Sequence, residues 1–265
     1  MMPMPPLLSE GVSWMSLIII GMLLLEFGVS LEDVQQLRKR EGGKELHLAG
    51  MAATTFNSIV LGSVIYAVMV KYCCVQGPLT HCDFEQFSSV MVVLVIENTW
   101  YYLAHMAMHT RKLYWMHRFH HKFNVVVLPS SAIAVSIPEF LLAYMAPFIV
   151  GSYLGGTDKS SAITAGTIAI TANFFIHTPA LEETMSRLPW FFVTTSDHFT
   201  HHRQLTCNYG APVISIDRIM NVMKEFLGDA DEGMESVPSL DGDDSDGSYE
   251  EGDENAAVVK AKKGL

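Results

Sequence analysis

Two stretches of the chain leave little choice of fold. Residues 12–30, VSWMSLIIIGMLLLEFGVS, carry a single charge at Glu26, and residues 50–70, GMAATTFNSIVLGSVIYAVMV, carry none. At 1.5 Å per residue a helix of either length crosses about 30 Å of hydrocarbon. Both are expected to be transmembrane helices, in keeping with a composition that is 49% apolar and a mean hydropathy of +0.25. Residues 87–108, which include Glu97 and His105, form a third candidate. Residues 132–154 and the shorter 162–176 make a fourth and a fifth, the last dipping into the bilayer or tilting in a hairpin with the fourth, where Pro138 and Pro147 imply kinks. The expected fold class is all-α, a polytopic membrane bundle of four to five transmembrane or hairpin segments.

The basic residues orient this bundle. With the amino terminus lumenal and five segments alternating, the lumenal pieces hold only Lys71 and Lys159 of the 17 Lys and Arg. Arg38, Lys39, Arg40 and Lys44 in one loop, and Arg111, Lys112, Arg118 and Lys122 in another, then face the cytosol, as the positive-inside bias requires. The first eleven residues lack a basic region, and no small-residue cleavage site follows the first apolar run, so no cleavable signal is expected. Cys73, Cys74 and Cys82 fall in a lumenal loop where a disulfide is open to them, and Cys207 falls on the reducing side.

Residues 229–265 are a different material. Positions 229–254 hold twelve acidic side chains and no Lys or Arg, which accounts for most of the net charge of −11. Such a segment buries too little apolar surface to fold alone, so a disordered acidic tail is expected to follow a folded domain of residues 1–228. Within it GDDSDGSYEEGD echoes a calcium loop, but Gly242 stands where the first Asp belongs and Asp253 where the final Glu belongs. A solvated tail is the preferred reading. The final KKGL resembles the dilysine signal that returns membrane proteins to the endoplasmic reticulum.

Nine of the 11 histidines are clustered. His105 and His109 are one helical turn apart, and the same stripe runs back through Tyr101 to Glu97. His117, His120 and His121 have i, i+3, i+4 spacing, which on a helix gathers three rings on one face. HFTHH repeats that spacing with His198, His201 and His202, and His177 stands four residues after Asn173. His47 and His81, outside these groups, are read as amphipathic surface residues.

Two His-x-x-His-His segments and one His-x-x-x-His on one membrane face point to metal, and nine ligands are too many for one ion, so two metals are implied. The chain has neither the His-Glu-x-x-His of zinc proteases nor the Glu-x-x-His of ferritin-like bundles. Imidazole suits zinc, copper, iron and nickel alike. A site at the cytosolic mouth of a helical bundle can, however, receive lipid from the bilayer and electrons from the cytosol.

The stretch ENTWYYLAHMAMHTRKLYWMHRFHH (97–121), with DHFTHHRQLTCNYG (197–210) and the later Asp217, resembles the fatty acid hydroxylase and sterol desaturase superfamily. The resemblance covers roughly residues 95 to 220. It implies a membrane enzyme of the endoplasmic reticulum that uses two irons and O₂ to hydroxylate or desaturate a lipid, with electrons reaching it indirectly from NAD(P)H through a cytochrome b5. Carried over by position, the iron ligands are His105, His109, His117, His120, His121, His177, His198, His201 and His202. The chain departs from the pattern at three places: Ile137 where many members have a histidine before Pro-Glu, Ile216 where a Trp precedes the downstream Asp, and Met106 where an Arg is usual. The shell is then completed by water, Asn173 or a carboxylate.

Neutral imidazoles need acceptors for their second ring nitrogens, and Glu97, Asp197, Asn208 and Asp217 are the candidates. Glu97 also has the plainer reading of a carboxylate near a helix end that reaches water. The expected substrate is a lipid entering from the bilayer: a sterol undergoing hydroxylation, methyl oxidation or desaturation is the lead, and a sphingolipid or fatty acyl chain the alternative. A metal transporter and a catalytically inactive lipid-binding relative are the readings from other classes, although no inverted repeat supports transport.

Overall fold

The computed structural model describes residues 4–75 and 84–228. The acidic stretch, the calcium-loop echo, the terminal lysines, His81 and Cys82 lie outside the described residues. The described residues up to Phe226 form one compact unit.

The elements follow one another with short connections. α1 (Pro6–Gly28) opens on a proline, tolerated in a first turn because the missing N–H has no intrahelical partner there. α2 (Leu31–Arg38) has Glu32 and Asp33 in its first turn and Arg38 in its last, each matched to the helix dipole. α3 (Gly43–Thr55), a π-helical turn at Phe56–Gly62 and α4 (Ser63–Tyr72) continue as one rod. α5 (Phe84–Met108) leads into α6 (Tyr114–His117) and two 3-10 turns, His120–Phe123 and Pro129–Ser131. α7 (Ile137–Glu139), a π-helical stretch at Phe140–Met145 and α8 (Ala146–Leu154) make another rod, followed by α9 (Lys159–Ile176). The short α10 (Glu182–Met185) precedes α11 (Thr195–Gln204) and α12 (Ile216–Gly228).

Pro6–Gly28, Gly43–Tyr72, Phe84–Met108 and Ile137–Leu154 are long and apolar enough to cross a bilayer. No strand occurs among the described residues, so the protein is an all-α multi-pass bundle. α9, the short fifth segment, is capped by Asp158, whose carboxylate accepts from the Ser161 N–H at 2.6 Å. Its Ala162 and Ala165 pack among Val90, Val93 and Phe148. Small residues let the rods close up: a Cβ on Gly151 would lie 3.1 Å from the Val93 Cα, so α8 meets the α5 backbone through hydrogen alone.

The fourth segment differs from its sequence expectation. Residues 132–136 are not helical; they continue a buried, irregular passage from the Pro129–Ser131 turn, and the helix begins only at Ile137. Pro138 therefore starts a helix instead of kinking one, with the Ser136 hydroxyl capping the Glu139 N–H. Pro147 sits in the first turn of α8, directly after a π-helical stretch whose wider turn tolerates the missing donor.

Buried irregular backbone survives inside a membrane bundle only when its polar groups are satisfied by protein. Here the spanning helices supply the partners. Thr54 donates to the Ser130 carbonyl at 2.7 Å, Asn57 to those of Ile133 and Val135 at 3.1 and 3.0 Å, and Asn173 to that of Ala132 at 3.1 Å. Asn57 lies in the π-helical turn of the second rod, which carries its amide into the passage. Glu26 accepts from the Ser130 N–H at 2.7 Å.

Candidate metal centre

Three pieces of helix deliver the histidines to one end of the bundle. On α5, Glu97, Tyr101 and His105 are all buried along one stripe, as their spacing predicts, and His109 follows with its N–H on the His105 carbonyl at 3.2 Å. α9 ends at His177. α11 starts with a reciprocal cap in which the Thr194 hydroxyl accepts from the Asp197 N–H at 3.1 Å and the Asp197 carboxylate accepts from the Thr194 N–H at 3.0 Å. That cap aims His198, His201 and His202 inward.

The second histidine segment is not one helix. α6 ends at His117, and His120 and His121 sit in a separate 3-10 turn; His117 and His121 still meet, while His120 faces the other way. The result is two clusters. Ring nitrogens of His105, His109, His117, His121 and His201 lie within 4.8 Å of one another, and those of His120, His177, His198 and His202 do the same. Each His-x-x-His-His thus serves both clusters. On α11 the i, i+4 pair His198 and His202 faces the four-histidine group, while His201, about 100° round the helix from His202, faces the other.

The proton positions follow from the acceptors. Nδ1 of His105 lies 2.8 Å from the Tyr209 carbonyl, that of His120 3.1 Å from the Ser131 carbonyl, that of His177 2.7 Å from the Asn173 carbonyl and that of His201 2.7 Å from the Cys207 carbonyl. A carbonyl oxygen only accepts, so each Nδ1 carries the hydrogen and each Nε2 is a bare lone pair. His117 Nδ1 likewise meets Glu139 Oε1 at 2.5 Å. His105 Nε2 and His117 Nε2 then face each other at 2.9 Å as two lone pairs, an arrangement that a cation between them would turn from repulsive to favourable. His120 Nε2 and His201 Nε2 are buried without a hydrogen-bond partner. These residues fit bound metal.

Electrostatics keep the rings neutral, the state that ligates. Burial lowers His109, His177 and His201 to about 4, with the neighbouring His201 adding to the effect at His109 and His177. Burial followed by neighbouring imidazoles holds His117, His120, His198 and His202 well below the usual range.

The fatty acid hydroxylase family model matches residues 90–222, half of the chain. The chain belongs to the fatty acid hydroxylase family. No curated protein and no solved structure matches it significantly. Membership supports a lipid hydroxylase or desaturase, and the two histidine clusters fit the di-iron site that such an enzyme needs. The matched region holds all nine clustered histidines and Glu139, but not the first two spanning rods.

In this fatty acid hydroxylase family member the partners on Nδ1 of five of the nine histidines are four backbone carbonyls and Glu139. The carboxylates and amide expected in that role stand one step further out. Asp217 accepts from the Tyr209 and Gly210 N–H groups at 3.1 and 2.6 Å and so fixes the carbonyl on His105. Asp197 caps α11 and pairs with Arg218 at 2.8 Å. Asn208, at φ 55°, donates to the Asp197 carbonyl at 3.1 Å. Glu97 accepts from Asn98 at 3.0 Å and is buried, which removes its reading as a water-reaching side chain. Asn173 spends its amide on Ala132 while its carbonyl holds His177, and Ile137 is 47% exposed on the outside of the bundle.

Two residues escaped the sequence reading. Glu139, the carboxylate on His117, sits in an otherwise apolar segment, and that isolation was the available signal. His47 is not a surface residue: it is buried, and its Nε2 meets Glu26 Oε1 at 2.5 Å. The same signal, a lone charge inside an apolar run, marked Glu26.

Proposed function

We propose that this protein is a non-haem di-iron oxygenase of the endoplasmic reticulum membrane that hydroxylates or desaturates a sterol. Residues 1–228 would form the catalytic body and residues 229–265 an acidic tail bearing the retrieval signal. His105, His109, His117, His121 and His201 would hold one iron, and His120, His177, His198 and His202 the other. The observation that carries the reading is the pair of buried imidazole clusters next to an apolar cavity in the bundle.

Trp14, Tyr66, Phe140, Tyr144 and Phe148 line that cavity, together with Glu97 and Asn173. It lies one residue from the four-histidine cluster and two side chains from the five-histidine cluster. Asn173 reaches the cavity with its side chain while its carbonyl holds His177, and Tyr144 packs on Tyr101 at 5.3 Å, which packs on His105 at 5.0 Å. With O₂ and two electrons, a pair of irons supplies the oxidising power that an unactivated C–H bond demands. The aromatic walls exclude water and hold the lipid, and the buried imidazoles remain neutral ligands. A few polar side chains in an apolar wall suit a rigid lipid with one hydroxyl, which supports a sterol over a long acyl chain. Exposed Arg118 and Lys122 suit an acidic donor such as cytochrome b5, reduced from NAD(P)H, on a cytosolic face.

The test is iron content and O₂-dependent lipid turnover of protein purified with its lipids, beside a His201→Ala, His202→Ala variant. Two irons per chain and turnover lost in the variant support the reading. Neither iron nor turnover after anaerobic reconstitution would return the protein to the transporter or inactive-relative readings. Lipid profiles of cells with and without the protein separate the substrates: an unchanged sterol pattern with altered sphingolipids or acyl chains would move the assignment to that class.

A further inference from the structure

α12 has two faces of opposite character. At about 100° per residue, Ile216, Ile219, Met220, Met223 and Phe226 fall on one side and Asp217, Arg218, Asn221, Lys224 and Glu225 on the other. Ile216 and Ile219 are half-buried, but Met223 is 50% and Phe226 81% exposed, so among the described residues nothing covers the outer part of the apolar side. Beside the start of α12 runs a second exposed apolar segment. Trp190 is 54% exposed, and Leu188 and Phe191 are exposed with it. The two segments are tied together: Ser215 N–H donates to the Phe191 carbonyl at 2.8 Å, Val193 N–H to the Val213 carbonyl at 3.1 Å, and the Arg218 guanidinium to the Trp190 carbonyl at 3.0 Å.

The depth of this surface is set by a spanning helix. Asn98 of α5 accepts from the Val213 and Ile214 N–H groups at 3.0 and 2.9 Å, two residues before α12 begins. Asn98 lies seven residues before His105, about 10 Å down the helix axis toward the bilayer interior. Pro212, next to those residues, lines the apolar cavity among the rods. The entry to α12 is therefore seated at the level of the spanning rods, not above them.

The geometry points to a bilayer-surface anchor: α12 and the Leu188–Phe191 segment lie in the membrane interface on the histidine side, their apolar faces against lipid and the polar face of α12 in water. Amphipathic helices of this kind bury their apolar face 5–10 Å into the boundary between headgroups and acyl chains, and Trp favours the same depth. The anchor also reaches the histidine centre. Asp217, on the first turn of α12, holds the Tyr209 and Gly210 N–H groups, and the Tyr209 carbonyl holds His105. Seating α12 in lipid thus fixes one wall of the five-histidine cluster.

Spin labels placed singly at 221, 223, 225 and 226, in full-length protein with its four cysteines changed to serine, test this in lipid nanodiscs. The expected result is collision with O₂ several-fold above collision with a water-soluble nickel chelate at 223 and 226, and the reverse at 221 and 225. Nickel-dominated collision at all four positions overturns the proposal in favour of a water-exposed helix. Low access to both reagents at 223 and 226 overturns it in favour of a protein partner or a second copy. A second measurement keeps the native cysteines: a lipid with a photoreactive group near the headgroup should label peptides spanning 219–226 and 188–191. Labelling confined to the four rods would overturn the proposal.

Discussion

Glu26 near the end of the first spanning rod and His47 near the start of the second meet at 2.5 Å with neither side chain reaching solvent. The second Glu26 oxygen holds the Ser130 N–H, and the next carbonyl along, that of Ser131, holds His120. A buried pair of this kind is costly to break because the surviving partner stays desolvated and unpaired. His47→Leu is expected to lower stability by roughly 3–5 kcal/mol. Glu26→Leu should cost more, since it also orphans the Ser130 N–H. Thermal unfolding of the two variants in matched detergent gives the comparison, and equal costs would show that the Ser130 bridge contributes nothing.

The division of the nine histidines into five and four predicts unequal single variants. His202→Ala leaves three imidazoles in the smaller cluster and should lower metal content from two ions per chain to one. His109→Ala leaves four in the larger cluster and should retain more metal at the same free concentration. Elemental analysis after equilibration at fixed metal would read this directly; loss of both ions in each variant would mean that the clusters bind as one unit.

Glu139 fixes the tautomer of His117, and its two substitutions should separate charge from hydrogen bonding. Glu139→Gln keeps an oxygen acceptor for the Nδ1–H, whereas Glu139→Leu removes it. Loss of an outer partner of this type costs roughly 10- to 100-fold in metal affinity. Competition with a calibrated chelator should place the Leu variant in that range and the Gln variant between it and the parent. Identical affinities for Leu and parent would remove Glu139 from the site.

Acid should destabilise the metal-free protein. His109, His177 and His201 are lowered to about 4 in the fold, against an ordinary value near 6.5. Between those values the unfolded chain binds protons that the fold does not, so stability falls as pH falls from about 6.5 to about 4, and these three groups add no further loss below that. Each contributes at most about 1.4 kcal/mol per pH unit, less for the partly exposed His109. Melting temperatures of the chelated protein across this window should fall toward acid; a flat profile would contradict neutral, buried rings.

Gly210 offers a steric probe of the Tyr209 loop. A Cβ there would lie 2.9 Å from the Ile216 nitrogen and 3.0 Å from Asp217 Oδ2, in the place where the carboxylate holds the loop. Gly210→Ala should therefore weaken metal binding at the five-histidine cluster through His105 while the spanning rods still form. Circular dichroism beside metal content distinguishes this from global unfolding, and full metal content in the variant would show that the loop position does not matter.

What the amino-acid order determined by itself was whatever repeats over short distances. Uninterrupted apolar runs specified spanning rods, because backbone in lipid must bond within its own helix. The i, i+3, i+4 spacing marked six of the clustered histidines and the i, i+4 spacing two more, and their number led to the expectation of two ions. Tertiary structure alone decided how those nine divide: in each His-x-x-His-His the i, i+4 pair joins one cluster and the remaining ring the other, His120 going to the four-histidine group and His201 to the five. It also decided what holds them. Glu139 and His117 are 22 residues apart, Glu26 and His47 are 21, and the Tyr209 carbonyl and His105 are 104. No local period encodes such pairs; they exist because burying an imidazole or a carboxylate obliges the fold to bring it a partner, from wherever in the chain one can be packed.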